Sequence, residues 1–351
     1  MIISQQVFAD NIADTKSTLA DMSRVDGTLY GDTKLYYSTD VLRSMPWTND
    51  AEAQNLLMLH RPEAPECQAI TLDTFRMIAL TVDNYLSKRA WGTEGAFGQF
   101  NSQMLGWIRD TKKIYDATLF NSFIGTHTAE GGKQNVQIDL PDTTGLDTEA
   151  YNRLVASTIA QAMADLLVDL EDVSRDYNDY GNLRSYSAGD LVFVWNSEWV
   201  NKIRKLDLPT IFHSEGLIQQ FAKHTLPARY FGNVNTSGGT TAASNTTIRS
   251  LIEKDYNTVA PDKAGYDASK HVFPGDLLPS NTAYGAGETY TEDGSIVFKV
   301  YHKDSVPFLT CFETGTEFFN PRSLTQTHYL IWGYNSLESL KNYPFITAKA
   351  E

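Results

Sequence analysis

The sequence is poor in cysteine and has no long apolar run. Its 351 residues include only Cys67 and Cys311, and two distant cysteines do not form a disulfide framework. Free thiols are typical of a reducing compartment. No stretch reaches the roughly 18 apolar residues that suggest a membrane-spanning helix. The N-terminal stretch lacks a positive n-region and an apolar h-region, so neither a signal peptide nor a membrane partner is expected.

Positive charge is also scarce. Lys and Arg total 29 against 43 Asp and Glu, for a formal net charge of −14. Because contacts to phosphate need Lys and Arg, we expect no non-specific grip on nucleic acid. The simplest interpretation of the acidic charge is ordinary solubility. A hydrophobic content of 42% and a charged content of 21% are typical of a globular protein with one large or two modest domains.

Recognisable catalytic motifs are absent from the sequence. The seven histidines are scattered without HExxH spacing, and neither cysteine lies in a CxxC pair. We find no GxSxG elbow, P-loop or dinucleotide-binding GxGxxG. Glu171 and Asp172 could form the carboxylate pair of a glycosidase, but a solvated helix face is the simpler interpretation. No catalytic residue, metal ligand or cofactor is predicted.

The longest ordered pattern is a helix predicted over Thr93–Ile124. Thr93 is suited to the N-cap, and Gly125 is expected to end the helix in a left-handed conformation. Apolar residues recur at steps of three and four, which places them on one helical face. They are Phe97, Phe100, Met104, Trp107, Ile108, Tyr115, Leu119 and Phe123.

A second helix and a buried strand follow. The apolar stripe over Asp147–Asp176 predicts a long helix with Asp147 as N-cap. Leu191–Trp195 is a continuous apolar run, which predicts a strand buried on both faces. An amphipathic helix is expected over Trp199–Leu206. A buried strand that leads into a helix indicates the centre of an α/β domain.

Shorter elements are predicted elsewhere. They are a helix at 68–91, a glycine turn with a β-hairpin at 125–141, a polar loop at 233–247, irregular structure at 255–295, and strands at Ile296–Tyr301, Val306–Cys311, His328–Tyr334 and Phe345–Ala348.

The segment 32–66 is hard to bury against itself. It is rich in Tyr, Trp and Leu, but three prolines interrupt it and its periodicity is broken. An extended loop that packs on a neighbouring molecule explains this pattern, and a surface loop on its own domain is the alternative. If it packs on a neighbour, the candidate interface residues are Tyr36, Tyr37, Trp47, Leu56, Leu57 and Leu59. Packing of these side chains on the long helix of the same chain is the other possibility.

The order of these elements resembles the major capsid proteins of tailed bacteriophages, which have the HK97 fold, and most of all those of short-tailed phages. Four segments carry the resemblance: 26–47, 80–124, 188–209 and 298–335. It implies an α+β fold with an N-terminal arm (1–31), an extended loop (32–67), a peripheral domain with a spine helix (68–145), an axial α/β domain (146–300) and strands that return to the peripheral domain (301–351).

The resemblance also implies a function. A structural, non-enzymatic protein of this kind assembles through hexamers and pentamers into an icosahedral or prolate shell around double-stranded DNA. Implied partners are copies of the chain, a scaffolding protein, a portal, and minor or decoration proteins, with assembly in the bacterial host cytoplasm. The part before the extended loop is too short for a cleaved scaffolding segment, so a separate scaffolding protein, or none, is expected. The cross-linking Lys and Asn of one family member have no match here.

Three alternatives remain open from the sequence. An encapsulin-like compartment would keep the fold and enclose a cargo enzyme instead of DNA. A soluble cytoplasmic hydrolase would use buried carboxylates, although the catalytic motifs are missing. A phage tail or receptor-binding protein would be expected to show β-rich repeats, which are not found.

Overall fold

A computed structural model describes residues 18–27, 32–44, 59, 61–83, 94–129, 131–204, 224–236, 239–241 and 289–351. Within them the chain is α+β. The helices are α1 (Thr18–Met22), α2 (Glu94–Thr126), α3 (Thr148–Glu171) and α4 (Ser197–Arg204). The strands are β1 (Arg24–Asp26), β2 (Thr33–Ser38), β3 (Glu66–Asp83), β4 (Asn135–Ile138), β5 (Leu191–Asn196), β6 (His224–Leu226), β7 (Gly232–Thr236), β8 (Gly239–Thr241), β9 (Thr289–Glu292), β10 (Ile296–His302), β11 (Phe308–Asn320), β12 (Thr325–Asn335) and β13 (Phe345–Ala350).

Two five-stranded sheets organise these elements. The first sheet has the order β1-β11-β12-β3-β2, and the second has the order β4-β13-β10-β5-β6. A smaller sheet, β8-β7-β9, accompanies them. In the first sheet β3 is shared, because its early residues pair with β2 and its later residues pair with β12.

The second sheet is buried on both faces. Every residue of β5 and β10 is buried, as the continuous apolar run in β5 predicted. On one face of the sheet, Ile159, Met163 and Leu170 of α3 pack against Phe193 and other residues of the sheet. On the opposite face, residues of α2 pack against alternate residues of β5 and β10. Burial of apolar surface on both faces is the main stabilising term of this sheet.

Helix α2 connects the two sheets. The same core cluster contains Phe120 and Phe123 of α2, Val194 of the second sheet, and Leu330 and Trp332 of the first. Tyr115, one to two turns earlier, makes an edge contact with Trp332 at a ring distance of 5.9 Å. The predicted long helix is therefore confirmed, and its C-terminal half is the element common to both cores. Its proposed N-cap, Thr93, lies outside the described residues.

Gly125 has a different role from the one predicted. The helix runs through it to Thr126, and Gly125 is not among the glycines with positive φ. A Cβ at this position would clash with the carbonyl oxygen of Tyr230. Glycine is required here because the backbone at Tyr230 approaches the helix closely.

The largest error of the sequence analysis lies at 68–91. The predicted short helix is instead most of β3, an 18-residue strand. Its buried positions alternate along the strand, as in Ile70, Leu72, Arg76, Ile78 and Val82, which is the period of a half-buried strand. Residues 84–91 lie outside the described part of the chain.

Smaller predictions also need correction. The expected hairpin at 125–141 is the single strand β4, which pairs in parallel with β13. The expected loop at 233–247 contains strands β7 and β8, and the irregular region at 255–295 contains β9. Helix α3 ends at Glu171, five residues before the predicted end, and α4 begins at Ser197.

The closing strands were predicted well, although two were too short. Strand β10 matches its prediction, whereas β11 and β12 are longer and form one antiparallel hairpin. The last strand, β13, lies in the second sheet between β4 and β10. Strands β4 and β13 therefore join the sheet of β5.

Candidate subunit-contact surfaces

The first exposed apolar surface lies on the hairpin of β2 and β3. Side chains alternate along β2, so Leu35 and Tyr37 point outward and are 51% and 62% exposed. Beyond the strand, Val41 and Leu42 are exposed as well, and Leu59 is 84% exposed on the returning side. We call these five residues the hairpin patch. Several exposed apolar side chains in one segment of the chain are typical of a protein–protein contact.

The base of this hairpin is fixed to the rest of the chain. The Asp40 carboxylate accepts a hydrogen bond from the Leu183 backbone N–H at 3.0 Å and pairs with Arg175 at 2.7 Å. These two interactions, the backbone bond first, lower the pKa of Asp40 to about 2. Asn182 also donates to the Ser38 hydroxyl at 3.0 Å. The hairpin therefore leaves the body of the protein from a defined position.

The structure separates the six predicted interface residues. Tyr37 and Leu59 are exposed in the hairpin patch. Tyr36 is partly buried, because it packs against a core cluster of its own chain that includes Ile70 and Leu309. Burial raises the pKa of the Tyr36 hydroxyl. The other three predicted residues, Trp47, Leu56 and Leu57, lie outside the described residues.

A second exposed surface was not found from the sequence. At the far end of the β11–β12 hairpin, Phe318 is 61% and Phe319 is 49% exposed. Adjacent residues of a strand point to opposite faces, so both faces are open to solvent there. Leu324 is exposed in the turn with a positive φ of 54°. We call these three residues the hairpin end. The only signal for it was the Phe-Phe pair in a polar strand.

The outer edge of β11 also carries backbone N–H and C=O groups that could bond to another strand. Strand β1 pairs with Phe308–Thr310 in parallel. Farther along, at residues 313–320, no strand among the described residues pairs with the outer edge of β11. An unpaired edge presents N–H and C=O groups that can bond to another chain. Glu313 and Glu317 lie on this edge, and such charges restrict which strand could add to it.

The outer side of α3 carries a third, narrower group of apolar residues. Leu154 and Val168 are 45% and 67% exposed, and Val173 just after the helix is 55% exposed. Two full heptads separate Leu154 from Val168, so both lie on one line along the helix. The acidic residues of this helix are exposed, as expected, and Asp169 also accepts a hydrogen bond from the Tyr177 hydroxyl at 3.1 Å.

Buried charges hold the N-terminal strand against α2. The Asp116 carboxylate is 3% exposed and pairs with Lys112 at 3.2 Å and with Arg24 of β1 at 3.6 Å. Lys112 also reaches Glu313 of β11 at 3.3 Å. Burial outweighs the two cations and raises the pKa of Asp116. A cavity of about 260 Å³ lies beside this network, between β1, α2 and β11.

No group of three or more His, Cys, Asp or Glu side chains in the described ranges could hold a metal ion. Cys67 is exposed and Cys311 is buried, and both are free thiols. Among the described helices, none is long and apolar enough to cross a bilayer.

Comparison with known proteins gives structural matches without sequence matches. No family model and no curated protein matches the chain. The capsid structure of Staphylococcus phage Andhra matches with a TM-score of 0.64 and 9% identity, over 99% of this chain and 88% of that one. A structure of head fiber and inner core protein gp22 of native bacteriophage P68 matches with a TM-score of 0.66 and 10% identity, over the same shares.

A third structure is also similar in fold at low sequence identity. The capsid structure of Cyanophage P-SCSP1u aligns with a TM-score of 0.50 and 12% identity, over 99% of this chain and 93% of that one. At these identities the likeness concerns the fold. Each alignment spans almost the whole of both chains, so the likeness extends over the complete fold. This chain therefore has the fold of bacteriophage capsid proteins.

Proposed function

We propose that this chain is the major capsid protein of a tailed bacteriophage. It is a structural subunit that self-assembles through hexamers and pentamers into an icosahedral or prolate shell around double-stranded DNA. The observation that carries the proposal is the alignment of 99% of the chain with 88% of a phage capsid chain. No structure reported above is an encapsulin or a hydrolase, so neither alternative gains support.

The HK97 pattern is the finer form of this proposal. In it, α2 is the spine helix, and the first sheet with α2 forms the peripheral domain. The second sheet with α3 and α4 forms the axial domain, and the β2–β3 hairpin is the base of the extended loop. This assignment is supported by the long helix that joins two separate sheets and by the hydrogen bond that fixes Asp40, just after β2, to Leu183.

Contacts between copies are proposed at the hairpin patch and at the hairpin end. The two surfaces lie on opposite halves of the first sheet, since β2 pairs with the early part of β3 and the hairpin end with the late part. Two different patches on one subunit allow heterologous contacts, which close into rings. Trp47, Leu56 and Leu57 remain predicted interface residues. Scaffolding, portal, and minor or decoration proteins are proposed as further partners, with assembly in the host cytoplasm.

Electron microscopy of the purified full-length chain tests the proposal. We expect hexamers, tubes or hollow shells, alone or after co-expression with the adjacent phage structural genes. Chains that remain monomeric under both conditions would contradict it.

Matched variants test the proposed surfaces. Tyr37→Ser and Phe318→Ser should reduce the yield of assembled particles while leaving the melting temperature of the unassembled chain within a degree or two. Met77→Ser is the control, because Met77 is also an exposed apolar side chain of the first sheet, 45% exposed, but belongs to neither surface. Equal assembly by all three variants would refute the proposed surfaces and leave the capsid assignment intact.

A further inference from the structure

The joint between α2 and the second sheet contains a lysine with no exposed surface. Lys299 lies in the middle of β10, between Val194 of β5 and Thr347 of β13, and its relative exposure is 0%. It points to the face covered by α2. Its ammonium donates a hydrogen bond to the carbonyl oxygen of His127 at 2.5 Å. A fully buried lysine in a central strand is rare and requires a reason.

The bonded carbonyl lies at the end of the long helix. The backbone N–H of His127 still donates to Phe123 at 2.8 Å, so the helical hydrogen bonds continue one residue past Thr126. The last carbonyls of a helix lack partners and carry the negative end of its dipole. A hydrogen-bond donor at this position therefore caps α2 and attaches it to the second sheet.

The second base of the joint is His127 itself. Its ring stacks on Phe123 at 4.8 Å and meets the edge of Phe345 at 4.7 Å. The ring Nε2 lies 2.7 Å from the hydroxyl of Ser339. Two basic side chains thus share one buried site whose walls are aromatic and whose polar partners are a carbonyl and a hydroxyl.

Few charges face this site. The nearest are Lys349 of β13 and Asp293 before β10, which pair with each other at 2.9 Å. Lys349 opposes a charge on Lys299, and Asp293 favours it. Tyr301, the next residue of β10 on this side, is buried and neutral. Within the described residues no carboxylate forms an ion pair with Lys299, and the more distant Asp293 does not offset the effect of burial on its pKa.

We propose that this joint is a proton-sensitive latch: Lys299 and His127 hold the end of α2 on the second sheet, and acidification loosens the attachment. The proposal goes beyond the shell-forming function and does not depend on it. Burial lowers the pKa of Lys299 to about 7, with a smaller effect of Lys349, and lowers that of His127 to about 3. An opened joint that hydrates both groups restores their ordinary pKa values of 10.5 and 6.5.

The sign of the pH dependence follows. Between about pH 7 and 10.5 the open joint binds one more proton than the closed joint, at Lys299. Between about pH 3 and 6.5 it again binds one more proton, at His127. Lowering the pH therefore favours opening, by about tenfold per pH unit in each window.

Hydrogen exchange followed by mass spectrometry tests the latch on the purified full-length chain. Peptides that cover 120–135 are followed between pH 7.5 and 9.5, and rates are corrected for intrinsic chemical exchange. We expect the opening constant to rise about a hundredfold from pH 9.5 to 7.5, because one proton is taken up over two units. Peptides within 155–167 of α3 serve as the internal reference. A corrected rate that changes less than threefold in the wild-type chain would overturn the proposal without any variant.

Variants identify the group. Lys299→Met keeps the apolar stem and should abolish the pH dependence of the joint above pH 7. Lys349→Met changes a neighbouring lysine that is paired with Asp293 and partly exposed. This variant should retain the pH dependence above pH 7. His127→Gln should retain the slope above pH 7 and remove the slope between pH 6.5 and 4. A slope in Lys299→Met equal to that of the wild-type chain would assign the proton to another group and refute the latch.

Discussion

The two large sheets are built from similar strands but differ in how their surfaces are covered. In the second sheet, β5 and β10 are buried along their whole length, with α3 on one face and α2 on the other. In the first sheet, one part is buried against α2 and another within a separate cluster around Ile70 and Leu309, whereas both extremities carry exposed apolar side chains. The difference indicates that one sheet stabilises the monomer, while the extremities of the other are available for contacts between molecules.

The sharpest test compares two phenylalanines. Phe298 of the second sheet is 1% exposed and packs on Trp195 at 4.8 Å, whereas Phe318 of the first is 61% exposed. We expect Phe298→Ala to lower the free energy of unfolding by about 3–5 kcal/mol, because it leaves a cavity. Phe318→Ala should change it by less than about 0.5 kcal/mol. Urea unfolding of the unassembled chains measures both, and equal losses would remove the distinction between the sheets.

Two glycines of α2 test how closely this helix packs on the rest of the chain. Gly125→Ala places a Cβ against the Tyr230 carbonyl, and we expect a loss of about 1–3 kcal/mol from the forced backbone shift. Gly106→Ala meets nothing within 4 Å and should stabilise the chain by about 0.5–1 kcal/mol through helix propensity. Thermal unfolding of both variants gives the comparison. A stabilising Gly125→Ala would mean that the close approach does not constrain the helix.

The N-cap of α3 tests the helix that packs on one face of the second sheet. The Asp147 carboxylate accepts a hydrogen bond from the Ala150 N–H at 2.7 Å. Asp147→Ala should cost about 1 kcal/mol, and Asp147→Asn much less, because asparagine also caps well. Chemical unfolding measures the two values. If both variants have the same free energy of unfolding as the wild-type chain, the start of α3 frays without affecting the sheet beneath it.

The smallest effect is expected at the base of the β2–β3 hairpin. The pKa of Asp40 is lowered to about 2 from its ordinary 3.8, so its contribution is present above pH 3.8 and is lost as the pH falls through about 2. Asp40→Asn should increase hydrogen exchange at 38–44 at neutral pH and leave the cores unchanged. Exchange at 191–196 serves as the control region, and an increase there as well would show that the hairpin base supports the second sheet.

The difference in burial between the two sheets also explains which strands could be predicted from the sequence. Strand β5 was predicted because burial on both faces requires an uninterrupted apolar run, which is visible in Leu191–Trp195. Strand β3 was mistaken for a helix because its buried positions include Arg76, whose polar side chain hides the alternation. Arg76 is accommodated by Tyr334, whose hydroxyl accepts from its Nε at 3.4 Å, and by the Tyr115 ring at 5.5 Å. Those partners are 39 or more residues away, so no local window contains them.

The candidate surfaces were predictable only in part. Tyr37 and Leu59 were proposed as contacts because proline and broken periodicity marked their segment as unable to form its own core, and the structure leaves both side chains exposed. Tyr36 was grouped with them, although strand alternation turns it toward the core cluster. Phe318 was missed because exposure at the end of a hairpin depends on where β3 and β12 stop, which is a property of the sheet. Lys299 gave no signal either, because a single lysine in an apolar strand resembles an edge residue.

Strand β3 has a geometric consequence. It runs from Glu66 to Asp83 without an intervening turn, about 60 Å at the rise of a strand. Near its middle, Asp73 accepts hydrogen bonds from the backbone and hydroxyl of Ser336 at 2.9 and 2.7 Å. Because β3 pairs with β2 along its first part and with β12 along the rest, one continuous strand sets the separation between the hairpin patch and the hairpin end.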